Sequence, residues 1–164
     1  LSIRRAKDSD KKELISLIDK FRMLLAELRN KEYKEDLEMA ETELREYLRD
    51  DYPIYVAECS GQGIVGYMVC RVDDGVVWVE SLYVLAEYRR KGFATSLYEK
   101  AEELADSLGG QAPYNWVDPN NHMMISFLQK RGYSVLNLIE LRRPEHEEKT
   151  TQKIRVGSHE FDRP

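Results

Sequence analysis

Three cations stand in a row at Arg89, Arg90 and Lys91, and Gly92, Phe93, Ala94 and Thr95 follow them directly. The strand-like run "VVWVESLYV" lies just before this stretch and the helix-like run "FATSLYEKAEEL" continues it, so the cations crowd a helix start. That placement opposes the helix dipole, whose N-terminal end carries partial positive charge. An anion seated among the cations reverses the balance. The first turn of a helix leaves several backbone N–H groups without partners, and these, with the dipole, bind phosphate. Gly92 permits close backbone approach, and Ala94 and Thr95 are small. Taken alone, the stretch fits a solvated basic helix start equally well.

Glu80 is the second residue that invites chemistry, a carboxylate inside the apolar run "VVWVESLYV". A charge in such a run is costly unless it has a partner or a task. Strand alternation places Glu80, Leu82 and Val84 on one face. A general base is one reading of Glu80, and an ion pair with an arginine such as Arg71 is the other.

Other motifs are weaker. "GQGIVG", Gly61 to Gly66, matches G-x-G-x-x-G, but a dinucleotide fingerprint must lie between a strand and a helix. Here "YMVCRV" follows, another strand, so the glycines read as a hairpin turn. There is no G-K-[ST] and no metal-ligand spacing. His122 reads as a surface polar residue, Met123 and Met124 as packing, and Trp78 and Trp116 as strand and core residues. Trp116 in an acceptor site, holding an ammonium on its face, is the sharper alternative.

The elements that must position these residues follow from periodicity. "LSIRRA" reads as a strand, and "DSD" caps a helix over "KKELISLIDKFRMLLAELRN" with Leu14, Leu17, Ile18, Phe21, Leu24, Leu25 and Leu28 on its core face. A second, very acidic helix spans about 34–49, its acids read as solvated or as an attractor of a cationic substrate. Strands follow over "IYVAEC", "IVGYMVCRV" and "VVWVESLYV", then a helix over about 92–108. "APYNWV" is a strand, "DPNN" caps a helix over "HMMISFLQKR", and "YSVLNLIELRR" is a further strand. "KIRVGSHEF" in the polar tail, 144–164, is a candidate last strand. This order predicts one mixed α/β domain with a hairpin-built front half.

The 164 residues suit a single domain with its own core. The net charge of −5 argues against a general nucleic-acid binder. No apolar run reaches the length of a membrane span, about 18 residues, and "LSIRRAKDSD" lacks the apolar centre of a signal peptide. Two cysteines, Cys59 and Cys70, read as buried thiols of a cytoplasmic protein rather than a disulfide.

"WVESLYVLAEYRRKGFATSLYEKAEEL" resembles the acetyl-CoA-binding motif of the GNAT acyltransferase superfamily, in which [QR]-x-x-G-x-[GA] follows a strand and a short acidic link. Arg89-Arg90-Lys91-Gly92-Phe93-Ala94 fits that pattern, Leu82-Tyr83-Val84 fits the preceding strand, and "NHMMISFLQKRGY" is similar to the later family motif. The resemblance covers about 1–143. It implies a GNAT fold: a mixed, mostly antiparallel central sheet of about six or seven strands, about four helices, and a splay at the cofactor strand. It implies an N-acetyltransferase that moves an acetyl group from acetyl-CoA to a primary amine by direct attack, without a metal. The pyrophosphate of the cofactor is expected on Arg89 to Thr95, its pantetheine arm along the edge of Leu82, Tyr83 and Val84, and a further contact at Asn121, otherwise a helix cap. Several amine-acetylating members carry a Glu at the position of Glu80, which supports the base, and a backbone N–H near Tyr83 or Val84 is expected to meet the oxyanion.

Where many members place an acidic Tyr, four residues before the closing Gly132, this chain has Leu128. Either the thiolate leaves unaided or another group such as Tyr114 replaces that acid. The loss also admits a non-catalytic acyl-CoA-binding sensor on the same fold. The acceptor is expected to be a small-molecule amine, a protein lysine or a protein N-terminus, and pairing into a homodimer is compatible with the family.

Overall fold

The computed structural model of the chain describes residues 1–50, 52–110, 112–150 and 152–163. Thr151 and Pro164, both in the polar tail, and Asp51, in the "DDYP" link, lie outside the described residues. The contacts of the chain fall into two compact units, Leu1–Leu24 with Tyr33–Trp116, and Leu25–Glu32 with Val117–Pro164.

In the first unit, β1 (Ser2–Arg5) leads through a single 3-10 turn at Asp8–Asp10 into α1 (Lys11–Leu28). Arg4 ties these pieces together, donating to Asp10 at 2.7 and 3.0 Å and to Glu58 on the neighbouring strand. The helical spacing of Leu14, Leu17 and Ile18 buries all three, and α2 (Leu37–Arg49) adds Ala40 and Leu44. Asp36 caps α2 by accepting from the Met39 N–H at 2.9 Å.

The acids of this region are not all solvated. Asp19 is buried and accepts from the Tyr33 hydroxyl and the Asp36 N–H. Glu43 of α2 accepts from Arg22 at 2.9 Å and from the Tyr47 hydroxyl at 2.6 Å.

The central sheet has the order β1-β2-β3-β4-β5, with β2 (Ile54–Cys59), β3 (Gly63–Asp73), β4 (Val76–Val84) and β5 (Tyr114–Asn115). All neighbours are antiparallel except β4 and β5. "GQGIVG" forms the β2–β3 turn and the start of β3, with Gly61 and Gly63 at positive φ, as a hairpin requires. Ile54, Val56, Tyr67, Val69 and Tyr83 form one face of the sheet, packed with Leu14, Leu17, Ile18, Ala40 and Leu44 of α1 and α2. α3 (Phe93–Ser107) packs against β2, β3 and β4 on the other face, through Leu97, Tyr98, Ala101 and Ala105. Cys70 is fully buried, and burial pushes its thiol up to about 12; Cys59 is only half-buried, and neither forms a disulfide.

The second unit contains α4 (His122–Lys130), β6 (Gln152–Val156) and β7 (His159–Arg163). Asn120 donates to the Leu28 carbonyl and Arg29 pairs with Asp118, each within this unit. Two expectations change here. "KIRVGSHEF" is not one strand but most of a two-stranded hairpin of its own, because Gly157 at φ +60° supplies the tight turn between β6 and β7. "YSVLNLIELRR" is not a strand: it has no hydrogen-bonded neighbour among the described strands, and Val135, Leu136, Leu138, Ile139 and Leu141 are exposed. Among the described residues the central sheet therefore has five strands rather than six or seven. Among the described residues no helix is long and apolar enough to cross a membrane.

Gly66 fixes how closely β3 and β4 approach. A Cβ there lies 2.8 Å from the Tyr83 carbonyl oxygen and 3.0 Å from Val84 Cγ2, so something in β4 has to shift. Gly66→Ala is expected to destabilise the protein by about 1–3 kcal/mol. Thermal unfolding checks this, and an unchanged Tm removes Gly66 as the spacer of these strands.

Candidate active site

β4 loses its pairing on both edges at one level. On the β3 side the register slips between Val69 and Cys70: Val69 faces Ser81 while Cys70 faces Val79. Glu80 is the extra residue of this β-bulge. On the other side the parallel ladder to β5 holds only Trp78 to Tyr114 and Val79 to Asn115. From Glu80 to Val84 that edge has no strand partner among the described residues.

The bulge changes which side chains share a face. Ser81 and Tyr83 stand opposite Val69 and Tyr67, on the α1–α2 side, whereas Leu82 and Val84 stand opposite Met68 and Gly66. Ser81 and Tyr67 share a buried hydrogen bond of 2.6 Å on the first side. Glu80 bonds Arg71, which lies on that side too, directly opposite Trp78. Glu80 therefore faces α1 and α2 and does not share a face with Leu82 and Val84. Strict alternation fails because one inserted residue inverts the parity of every residue after it.

Arg71 answers the question of the Glu80 partner. Its Nε donates to Glu80 Oε1 at 2.6 Å, and its Nη1 donates to Asp73 at 2.9 Å. The bond to Glu80 is the main cause that raises the Arg71 pKa further above its ordinary value. The guanidinium also lies 5.3 Å from the Trp78 ring and 5.5 Å from the Trp116 ring. The two indoles touch at 5.0 Å, and Tyr114 packs on Trp78 at 5.1 Å. The sequence offers one signal for this cluster: Trp78 and Glu80 alternate on β4, and Tyr114 and Trp116 alternate beside them.

The basic loop follows β4 after a 3-10 turn at Ala86–Tyr88. Arg89 folds back, donating from Nε to the Val84 carbonyl at 2.9 Å and lying 5.4 Å from the Tyr83 ring. Lys91 lies 5.3 Å from the Tyr88 ring, which meets Phe93 edge-on. Arg90 holds φ +62°, and Gly92, the N-cap of α3, holds φ +88°. Gly92 has no side chain to cap the helix, and no acidic residue stands in its first turn. Ala94 and Thr95 follow as half-buried residues, and no side chain of the N-cap answers the first-turn N–H groups.

Asn121 and Leu128 belong to the second unit. Asn121 caps α4, accepting from the Met124 N–H at 3.0 Å. Leu128 is buried, and Gly132 ends the segment at φ +91°. His122 is exposed and contacts Arg163. No group of three or more His, Cys, Asp or Glu among the described residues is placed to hold a metal.

A mostly antiparallel sheet that opens beside a parallel fifth strand, with a basic, uncapped helix start after the fourth, matches what the family resemblance implies for an acyltransferase. The chain matches the model of the acetyltransferase (GNAT) family over residues 21–133. It belongs to that family and is an acyl-CoA N-acyltransferase. Solved structures share the fold. An aminoglycoside N-acetyltransferase, AAC(6')-Iy in complex with a CoA bisubstrate analogue, superposes with TM-score 0.67 at 17% identity, over 88% of this chain and 98% of that one. An aminoglycoside 6'-N-acetyltransferase from Acinetobacter haemolyticus gives 0.61 at 20%, over 91% and 100%. A PaiA N-acetyltransferase from Thermoplasma acidophilum in complex with coenzyme A gives 0.66 at 19%, over 79% and 87%.

At Gly92 an added Cβ meets nothing within 4 Å, so only the left-handed backbone resists a side chain. Gly92→Ala is expected to cost about 1–2 kcal/mol, from the left-handed penalty of an L-residue. Gly92→Asn, which tolerates that region better, is expected to lose less. Equal Tm values for the two variants contradict this account.

Proposed function

We propose that this protein binds acetyl-CoA with its pyrophosphate on Arg89–Thr95 and transfers the acetyl group to a primary amine by direct attack. The observation that carries the reading is the start of α3: an uncapped first turn after Gly92, beside cations and next to the unpaired edge of β4. Phosphate oxygens would accept from the N–H groups of that turn. The pantetheine arm would lie along the edge of Leu82, Tyr83 and Val84 in the manner of an added strand. A backbone N–H near Tyr83 or Val84 would meet the oxyanion.

Glu80 is the proposed general base. An alkylamine with a pKa near 10.4 is free in only about one molecule in 2,500 at pH 7, so a base within reach raises the reactive fraction. Glu80 Oε1 is engaged by Arg71, and Oε2 takes no hydrogen bond among the described residues. The acceptor is proposed to be cationic, as the exposed acids of α2, Glu38, Glu41 and Glu46, favour.

Calorimetric titration with acetyl-CoA is expected to show binding that Gly92→Glu weakens tenfold or more, equivalent to about 1.4 kcal/mol. Wild-type protein that binds no acetyl-CoA overturns this reading. Glu80→Gln is expected to lower turnover in a thiol-release assay at pH 7, with cofactor affinity kept. Equal turnover across a pH series removes Glu80 as the base, and binding without thiol release against any primary amine overturns the proposed acceptor class.

A further inference from the structure

We propose that the notch formed by Trp78, Trp116 and Glu80 is the seat of the acceptor's ammonium group, and that Arg71 fills this seat until an acceptor displaces it. The inference deepens the amine-transfer reading and rests on it for the identity of the occupant. The notch has what recognises an organic cation. Two indole faces converge on it, and a carboxylate closes its inner end. Rings attract a cation most strongly when it also gains a charge partner in a partly dry site. Arg71 demonstrates the preference, since its guanidinium lies over both rings and bonds Glu80 at once.

Arg71 is placed to leave. Its Nη1 already bonds Asp73, whose side chain is 67% exposed, so a turn outward keeps one ion pair while releasing the other. The seat is open to arriving ligands: Trp116 is 66% exposed and Tyr114 37%. A primary alkylammonium that enters replaces the guanidinium over the indoles and donates to Glu80. Its nitrogen is then held against the residue assigned as base. A neutral amide or alcohol has no charge with which to compete against Arg71.

The only two tryptophans of the chain are Trp78 and Trp116, so fluorescence excited selectively at tryptophan, beyond the absorption of the tyrosines, reports on the notch. The probe is n-butylammonium chloride at constant ionic strength, with n-butanol as the neutral isostere. Arg71→Ala, folded by far-UV circular dichroism, is expected to show a saturable change with butylammonium, at least tenfold tighter than wild type, and none with butanol. Adding Glu80→Gln to that variant is expected to weaken the binding tenfold or more. Arg71→Gln, which keeps a donor but loses the charge, is the second variant and is expected to respond in the same direction. Wild type must also saturate at higher concentration, because displacement is required. A linear wild-type response, or a response to butanol equal to that of butylammonium, overturns the proposal. No step uses acetyl-CoA, so failure here is separate from failure of acetyl-CoA to bind at α3.

Discussion

The organisation of this site depends on one failure of hydrogen bonding in β4. A strand inside a sheet normally keeps a ladder on each edge. At Glu80 the β3 ladder slips by one residue, and one residue earlier the β5 ladder ends. A single inserted residue has two effects. It turns Glu80 towards α1 and α2 although it stands two residues from Leu82, and it increases the local twist that parts neighbouring strands. Gly66 works with it: the absence of a side chain opposite Val84 lets β3 keep β4 close where β5 has left it. The inward carboxylate follows from the bulge, and the open edge begins at the same level of β4.

Two sets of cations meet two different solutions. Arg71 neutralises Glu80 in a setting where both side chains are about one-fifth exposed, so the bond serves mainly to let a carboxylate stand in an apolar strand. The cations before α3 oppose the dipole, but they do not all point at it. Arg89 spends its Nε on the Val84 carbonyl and its face on Tyr83, and Lys91 lies over Tyr88. Aromatic faces and a carbonyl carry part of the charge that an anion would otherwise have to carry. What remains unanswered inside the protein is the uncapped first turn itself.

The sequence made the basic loop and the β2–β3–β4 hairpins legible because both are local. Arg89 to Thr95 are contiguous, and hairpins follow from runs such as "SGQG" between β-branched stretches. Alternation misplaced Glu80 relative to Leu82 and Val84 because a bulge leaves no mark in composition. The Arg71 pair was foreseeable as an alternative, since Arg71 and Glu80 flank one turn. Trp116 was foreseeable as an acceptor-site aromatic, but its meeting with Trp78 was not, because it depends on a parallel ladder of two residue pairs between strands far apart in the chain. The strand assigned to "YSVLNLIELRR" rested on apolar content alone, and a strand also needs a neighbour. The tail became a hairpin on the strength of Gly157, whose positive φ outweighs the continuous reading of "KIRVGSHEF".

Leu128 bears on where proton transfer is needed. On the proposed reading, attack of an amine on the thioester gives a tetrahedral intermediate that can expel either nitrogen or sulfur. A thiolate, with a thiol pKa near 8.5, leaves without help more easily than an amide anion, so a missing acid at Leu128 is tolerable. An intermediate whose nitrogen is still fully protonated, however, expels the neutral amine and returns to reactants. Removal of the proton from nitrogen, rather than donation to sulfur, then decides the direction of the reaction. That places the chemical burden on the α1–α2 side of β4, where Glu80 stands, and leaves Leu128 to packing.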